Sequence, residues 1–335
     1  MTSPTISIAF QTDKPLAAYG PLAHAAEAYG FDGVSVYNDL LYQPAWLPLL
    51  EMARHTRRVW LGPAAVNPFT CHPLTIAGNI ALLDEASQGR AYLGLARGAW
   101  LDWLGIEPAR PIRALREAFA CIRHLLTRAT APYPGDIFPL AGGDSLRWPI
   151  GRADIPFLLG TWGAHTIRAC APYIAAVKVG GTANPALLRH IVAVVRDAAV
   201  RAGRHADSIQ VVAGAVTVVD RDGARARAWA RRHAAMYLPV IAPLDHTLAL
   251  EPAVLHRLSA AAAADDVDQV ARHMSDDLLR CVAFAGTPEQ VAEQAHAVLA
   301  VGVRRVEFGT PHGVTEEDGM RWLGEAVLPA LRRAV

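Results

Sequence analysis

Residues Val59–Gly105 read VWLGPAAVNPFTCHPLTIAGNIALLDEASQGRAYLGLARGAWLDWLG. VWLGPAAV is apolar with β-branched residues at both ends, which predicts a buried strand. LTIAGNIALLDEAS repeats Ile76, Ile80 and Leu83 at helical spacing, SQGR is a turn, and AYLGL is a second short apolar run. The stretch is therefore one strand-helix-strand unit. Polar groups cluster after each strand: Asn67, Thr70 and His72 after the first, Arg97, Gly98, Trp100 and Asp102 after the second. In parallel α/β proteins such loops carry the chemistry.

The unit recurs on both sides. ISIAF (Ile6–Phe10) and a helix over about Pro15–Tyr29 come first, then GVSVY (Gly33–Tyr37) and a helix over about Pro44–His55. The periodic segment Ala109–Leu126 predicts the helix after the fourth strand. From about residue 127 to 154 the periodicity lapses into Pro, Gly, Asp and Trp, an irregular insertion. IPFLLG (Ile155–Gly160), YIAAVKV (Tyr173–Val179) with a helix over Pro185–Gly203, and SIQVVAGAVTVV (Ser208–Val219) with an Arg/Ala-rich helix resume the alternation. A helical insertion follows at about 239–280. A helix over Pro288–Val301, the strand RRVEFG (Arg304–Gly309) and a final helix to Val335 close the chain. Eight strands, each followed by a helix, predict an α/β fold with a parallel sheet, and a (β/α)8 TIM barrel with insertions in a single domain over 1–335. An open doubly wound sheet is disfavoured, since FQTDKP and no glycine fingerprint follows the first strand.

The 335 residues are 52% hydrophobic with a formal net charge of +1, so a large core is available and no basic run points to nucleic acid or a membrane surface. No apolar run reaches membrane-spanning length. Four scattered cysteines, no C-x-x-C pair and no signal peptide predict reduced thiols in the cytoplasm. A metallohydrolase is disfavoured. The first strand ends in Phe10-Gln11-Thr12 without an H-x-H, no H-E-x-x-H occurs, and His165, His190, His205, His233 and His273 fall mostly on helices. No metal site is expected.

KVGGTANP sets two glycines and Thr182 after the sixth strand and before a helix. This is either an anion-binding turn or an ordinary strand exit with a capped helix. Lys178, one of only two lysines, lies in that apolar strand, so its ammonium must reach an anion or pair with a carboxylate inside the barrel. FGTPHGV, with Gly309 and Thr310, predicts a second glycine-containing turn on the same rim. Trp100, Trp162 and Tyr42 could wall a flat ring.

Taken together, GPAAVNPFTCHP, DEASQGRAYLG, KVGGTANP, FAGTPEQVAEQ and GVRRVEFGTPHG resemble, in order and spacing, the bacterial luciferase-like monooxygenase superfamily. The chain looks most like its F420-dependent methylenetetrahydromethanopterin reductase branch, over almost the whole length. The resemblance implies a barrel that binds coenzyme F420 (8-hydroxy-5-deazaflavin) or, alternatively, FMN at the strand C-terminal ends, with a non-prolyl cis peptide at Ala64-Ala65 against the ring. By the same resemblance Gly180, Gly181 and Thr182 hold the cofactor phosphate, helped by Lys178, and Asn67, Arg97 and Gly98 flank the ring. Asn38-Asp39 and Ala99 depart from the reductase pattern, whose members tend to carry Asp-His and an acidic residue there. Asp39 and His72 are then the acid/base candidates, Arg97 the stabilising cation, and Tyr42, Trp100 and Trp162 the substrate pocket. The expected activity is F420H2-dependent hydride transfer to a small organic substrate. The alternatives are an FMNH2-dependent monooxygenase served by a separate flavin reductase, and a non-catalytic flavin-binding subunit. A homodimer is expected.

Overall fold

The computed structural model describes residues 4–248, 250–264 and 266–333. The elements in chain order are β1 (Thr5–Phe10), α1 (Tyr19–Tyr29), β2 (Gly33–Val36), α2 (Trp46–His55), β3 (Trp60–Pro63), α3 (Pro73–Ala86), β4 (Leu93–Ala96), α4 (Pro111–Leu126), β5 (Phe157–Gly160), α5 (Ala164–Cys170), β6 (Ala176–Gly180), α6 (Pro185–Arg201), β7 (Gln210–Val219) and α7 (Gly223–Ala235). Then come α8 (Leu238–Ile241), α9 (Pro252–Ala263), α10 (Val267–His273), α11 (Asp276–Val282), β8 (Ala283–Gly286), α12 (Pro288–Ala300), β9 (Arg305–Gly313), α13 (Glu316–Trp322) and, after a π-helical turn, α14 (Leu328–Arg333).

Eight of these strands run parallel in the order β3-β2-β1-β9-β7-β6-β5-β4. Single bridges, Leu61 to Ala91 and Val66 to Leu95, join β3 to β4 and complete a (β/α)8 barrel. These are the eight strands that the alternation predicts. Two details differ from it. β8 pairs with the far end of β7, outside the closed ring; its four residues AFAG continue the apolar pattern of α11, so periodicity could not separate strand from helix. β9 runs on to Gly313, with a bulge against β7 and a cis Thr310-Pro311 bond, so the turn expected at Gly309 is strand.

The opening unit is held at its lower end by long-range polar contacts. The Glu27 carboxylate accepts the backbone N–H groups of Arg57, Arg58 and Val59, which fixes the entry to β3. At the seam between β3 and β4, Gly62 and Gly94 let the backbones approach. A Cβ on Gly62 would lie 2.1 Å from the Tyr92 carbonyl oxygen, and one on Gly94 2.2 Å from that of Pro63. The irregular segment 127–154 is pinned to the barrel helices: the Arg152 guanidinium forks onto the Asp84 carboxylate of α3 at 2.7–3.1 Å, and Glu117 of α4 accepts the Ile137 N–H. The helical insertion packs α8 to α11 onto α7 around Ala230, Leu238, Val270 and Leu279.

His312 on β9 is fully buried, its Nε2 against the Ala9 carbonyl at 2.9 Å. Burial pushes its pKa down to about 3. The folded state therefore keeps this ring neutral where the unfolded chain protonates it. Stability should be unaffected by His312 above its unfolded pKa of about 6.5 and should fall as pH drops from there toward 3, by up to about 1.4 kcal/mol per pH unit. His312→Gln should flatten that part of a denaturation-versus-pH curve. An unchanged slope would show that other groups set it.

Candidate functional site

The strand C-terminal ends enclose a cavity of about 760 Å³. Its floor and walls come from Tyr37 and Asp39 after β2, Ala64 after β3, Arg97 to Asp102 after β4, Trp162 after β5, Lys178, Gly180 and Gly181 of β6 and its exit, Gly214 to Val216 of β7, and Thr310 of β9. Tyr237, Val240, Ile241 and Leu244, around α8, form the remaining wall. Val240, Ile241 and Leu244 fall in the helical insertion, whose periodicity marked none of them, and Tyr237 lies just before it. The available signal was positional, because a segment inserted after a strand's C-terminal end lies on the active-site face of a barrel.

The peptide Ala64-Ala65 is cis, as the resemblance implies. Ala64 faces the cavity, whereas the Ala65 Cβ points at Gly94, 3.4 Å from where a Cβ there would stand. Arg97 faces the cavity and makes no ion pair or hydrogen bond with any described residue. Gly98 beside it has a φ of +86°, and its open face rests on Asn67. Asp39 lies after β2, its Oδ2 accepting from Gln11 Nε2 at 2.9 Å. On the same side stands the Tyr237 phenol, which burial and the nearby Asp39 charge push up to about 12. At neutral pH that hydroxyl can only donate a proton. Trp162 is oriented by its Nε1, which donates to the Gly180 carbonyl at 3.0 Å. Trp100 stands at the mouth with a φ of +55° and 46% exposed.

Several expected ligand-binding groups are instead engaged within the protein. Asn67 Oδ1 accepts the Phe69 and Thr70 N–H groups at 3.0 and 2.9 Å, so its amide oxygen builds the loop after β3. His72 is the N-cap of α3, its Nδ1 accepting the Leu74 N–H at 3.1 Å, and it does not line the cavity. The expected phosphate turn is satisfied internally: Gly181 and Thr182 donate their N–H groups to the Gly214 carbonyl, Ala183 donates to that of Cys281, and the Thr182 hydroxyl also donates to Cys281. Ile241 covers the same loop, its Cδ1 2.3 Å from the position of a Cβ on Gly181. Lys178 resolves toward the carboxylate alternative, paired with Glu307. Gly309 packs under the Tyr37 hydroxyl and the Ala215 carbonyl. Tyr42, 46% exposed, lies outside the cavity wall. Among the described residues no cluster of three or more His, Cys, Asp or Glu could hold a metal ion, and no helix is long and apolar enough to cross a membrane.

His72→Ala should thus cost about 1 kcal/mol of stability through the lost cap and leave cofactor affinity unchanged. A tenfold loss in affinity in a fluorescence titration would return His72 to the site.

A cavity of this size at the C-terminal rim of a (β/α)8 barrel is the enzyme arrangement of that fold. The sequence model of the luciferase-like monooxygenase family matches residues 2–305. The chain belongs to that family and is an oxidoreductase. It is 26% identical to the 5,10-methylenetetrahydromethanopterin reductase of Methanolobus tindarius, over 97% of this chain and 99% of the relative. It is 27% identical to the F420-dependent glucose-6-phosphate dehydrogenase of Nakamurella multipartita, over 100% and 99% of the two chains. The structure of the coenzyme F420-dependent tetrahydromethanopterin reductase of Methanopyrus kandleri superposes with a TM-score of 0.86 at 24% identity, over 98% of this chain and 100% of that one.

Proposed function

We propose that this protein is an F420-dependent oxidoreductase acting on a small organic substrate. The observation that carries the reading is the cavity itself: small residues, Ala64, Gly98, Gly180, Gly214 and Thr310, line its floor and walls, and one cation without a protein partner, Arg97, stands at its rim. A Cβ on Gly180 would meet nothing within 4 Å, so the β6 wall leaves room for a flat ring. The donor set fits such a group. When bound, the deazaflavin supplies two-electron chemistry as a hydride carrier.

The chain's own residues supply the rest. Arg97 offers a charge-assisted contact to an anionic edge or side chain of the cofactor. Tyr237 presents a protonated hydroxyl to the cavity as its proton donor, and Asp39, held by Gln11, is a second acid/base group on the cavity wall. Trp100, Leu101, Trp162 and Leu244 keep much of the cavity wall apolar, which would suit an organic substrate with few charges.

Titrating the purified protein with F420 and with FMN in parallel tests the assignment. Micromolar or tighter binding of F420 is expected, and binding of FMN alone would transfer the chain to the flavin-dependent monooxygenase reading. Arg97→Ala should weaken the bound cofactor about tenfold, the loss of one charged hydrogen bond. Unchanged affinity in the same titration would remove Arg97 from the site.

A further inference from the structure

Below the cavity the barrel interior holds charges where an apolar layer is usual. Glu307 on β9 is fully buried. Its Oε1 accepts from the Lys178 ammonium of β6, and its Oε2 accepts from Ser35 Oγ of β2 and, at 3.2 Å, from Ser7 Oγ of β1. Arg305, two residues earlier on the same face of β9, brings Nη2 to 3.6 Å from that second oxygen. Its guanidinium lies over the Trp60 ring at 4.3 Å and the Tyr92 ring at 5.3 Å. Its Nε and Nη2 find no hydrogen-bond partner among the described residues. Burial alone would raise the Glu307 carboxyl, yet Lys178 and Arg305 outweigh it and hold the group below its ordinary value, so it is ionised.

Two cations thus share one carboxylate, and the cluster carries a net positive charge out of water. That arrangement is costly without a further anion. Of the three groups, Lys178 is the one that lines the cavity. Its Nζ stands 5.0 Å from the Tyr37 ring centre, and its Cε would be 3.2 Å from a Cβ on Gly214. Beyond the Glu307 carboxylate that it shares with Arg305, neither neighbour adds a negative charge. The remaining ionisable groups of the cavity are Asp39 and Tyr237 on the β2 side and Arg97, Asp102 and Glu107 on the β4 side, and none of them bonds Lys178.

We infer that Lys178, with Glu307 and Arg305 behind it, makes the cavity floor beside β6 an anion-stabilising surface that holds the bound cofactor ring in its ionised form. The inference rests on the cofactor reading above. An 8-hydroxy-5-deazaflavin ring releases its hydroxyl proton to solvent and becomes a flat anion delocalised onto the pyrimidinedione. A reduced flavin does the same from N1. A cation within about 4–6 Å shifts such an equilibrium by about 1–3 pH units toward the anion. Lys178 therefore acts on the ring electronically and not as a phosphate clamp.

The test follows the absorbance of oxidised F420 bound to excess protein as pH is lowered. The bound ring should ionise at a lower pH than free F420. Lys178→Met should raise that midpoint by about one pH unit, and Glu307→Gln, which leaves both cations unopposed, should lower it. If Glu307→Gln fails to fold in a thermal melt, Lys178→Met decides alone, since Glu307 keeps Arg305 and the two serines. A Lys178→Met midpoint equal to wild type overturns the inference, as does loss of F420 binding at every pH; loss confined to the pH range in which free F420 is ionised supports it. FMN-loaded protein separates this inference from the choice of cofactor, because Lys178→Met should there make the reduction potential more negative. If F420 does not bind but this FMN response appears, the F420 reading fails and the inference holds; if neither cofactor binds, both fail.

Discussion

Leucine in place of Gly180 should abolish cofactor binding while leaving the barrel folded. Gly180 is the last residue of β6 and lines the cavity. Its backbone is not in the left-handed region, and a Cβ built there meets nothing within 4 Å, so a side chain is tolerated by the fold and enters the open space. A branched side chain at that point takes the volume a planar ring needs, and the ring cannot yield. We expect the affinity for F420, and for FMN, to fall at least about 100-fold, or about 2.7 kcal/mol, with the melting temperature near wild type. Unchanged affinity would show that the ring binds elsewhere. The adjacent Gly181 is a poorer probe, because its φ of +79° and the Ile241 side chain against it mix strain with occlusion.

Gly62→Ala should act on the fold in the opposite sense, destabilising it without touching the cavity. The added methyl would stand 2.1 Å from the Tyr92 carbonyl oxygen, which is backbone and is held in the seam by neighbouring hydrogen bonds, Tyr92 N–H to Leu61 and Leu61 N–H to Arg90. Strands β3 and β4 must then separate at the place where the barrel closes through single bridges. A loss of about 3 kcal/mol is expected, at the upper end of what overpacking costs, read as a lower urea midpoint. A change below about 0.5 kcal/mol, the scatter of neutral surface substitutions, would mean that the seam can open without cost.

The Lys178 site shows how far the sequence carried the functional reading. A lysine in an apolar strand signals that some anion is near, and the sequence left two candidates, a ligand or a carboxylate. Glu307 is 129 residues away, and nothing local to either residue names the other. Asn67, His72 and Thr182 illustrate the same gap. Each stands at a strand end where ligand-binding groups are expected, but the structure engages Asn67 Oδ1, His72 Nδ1 and the Thr182 hydroxyl with backbone. Residue type and position show that a group is available for hydrogen bonding, whereas its remaining valence depends on the path of the surrounding chain.

The order of the eight barrel strands, the parallel barrel and the loops that face its open end were determined by the sequence alone, because hydrophobic period and turn chemistry are local and repeat eight times. The family resemblance lay in the same local motifs, down to Ala64-Ala65. Only the tertiary structure decided which polar residues remain free to meet a ligand, that Tyr237 and, from the helical insertion, Ile241 line the cavity, and that Lys178 and Arg305 share Glu307. Those outcomes depend on contacts between elements far apart in the chain, where burial and charge are settled by neighbours that no single stretch of sequence contains.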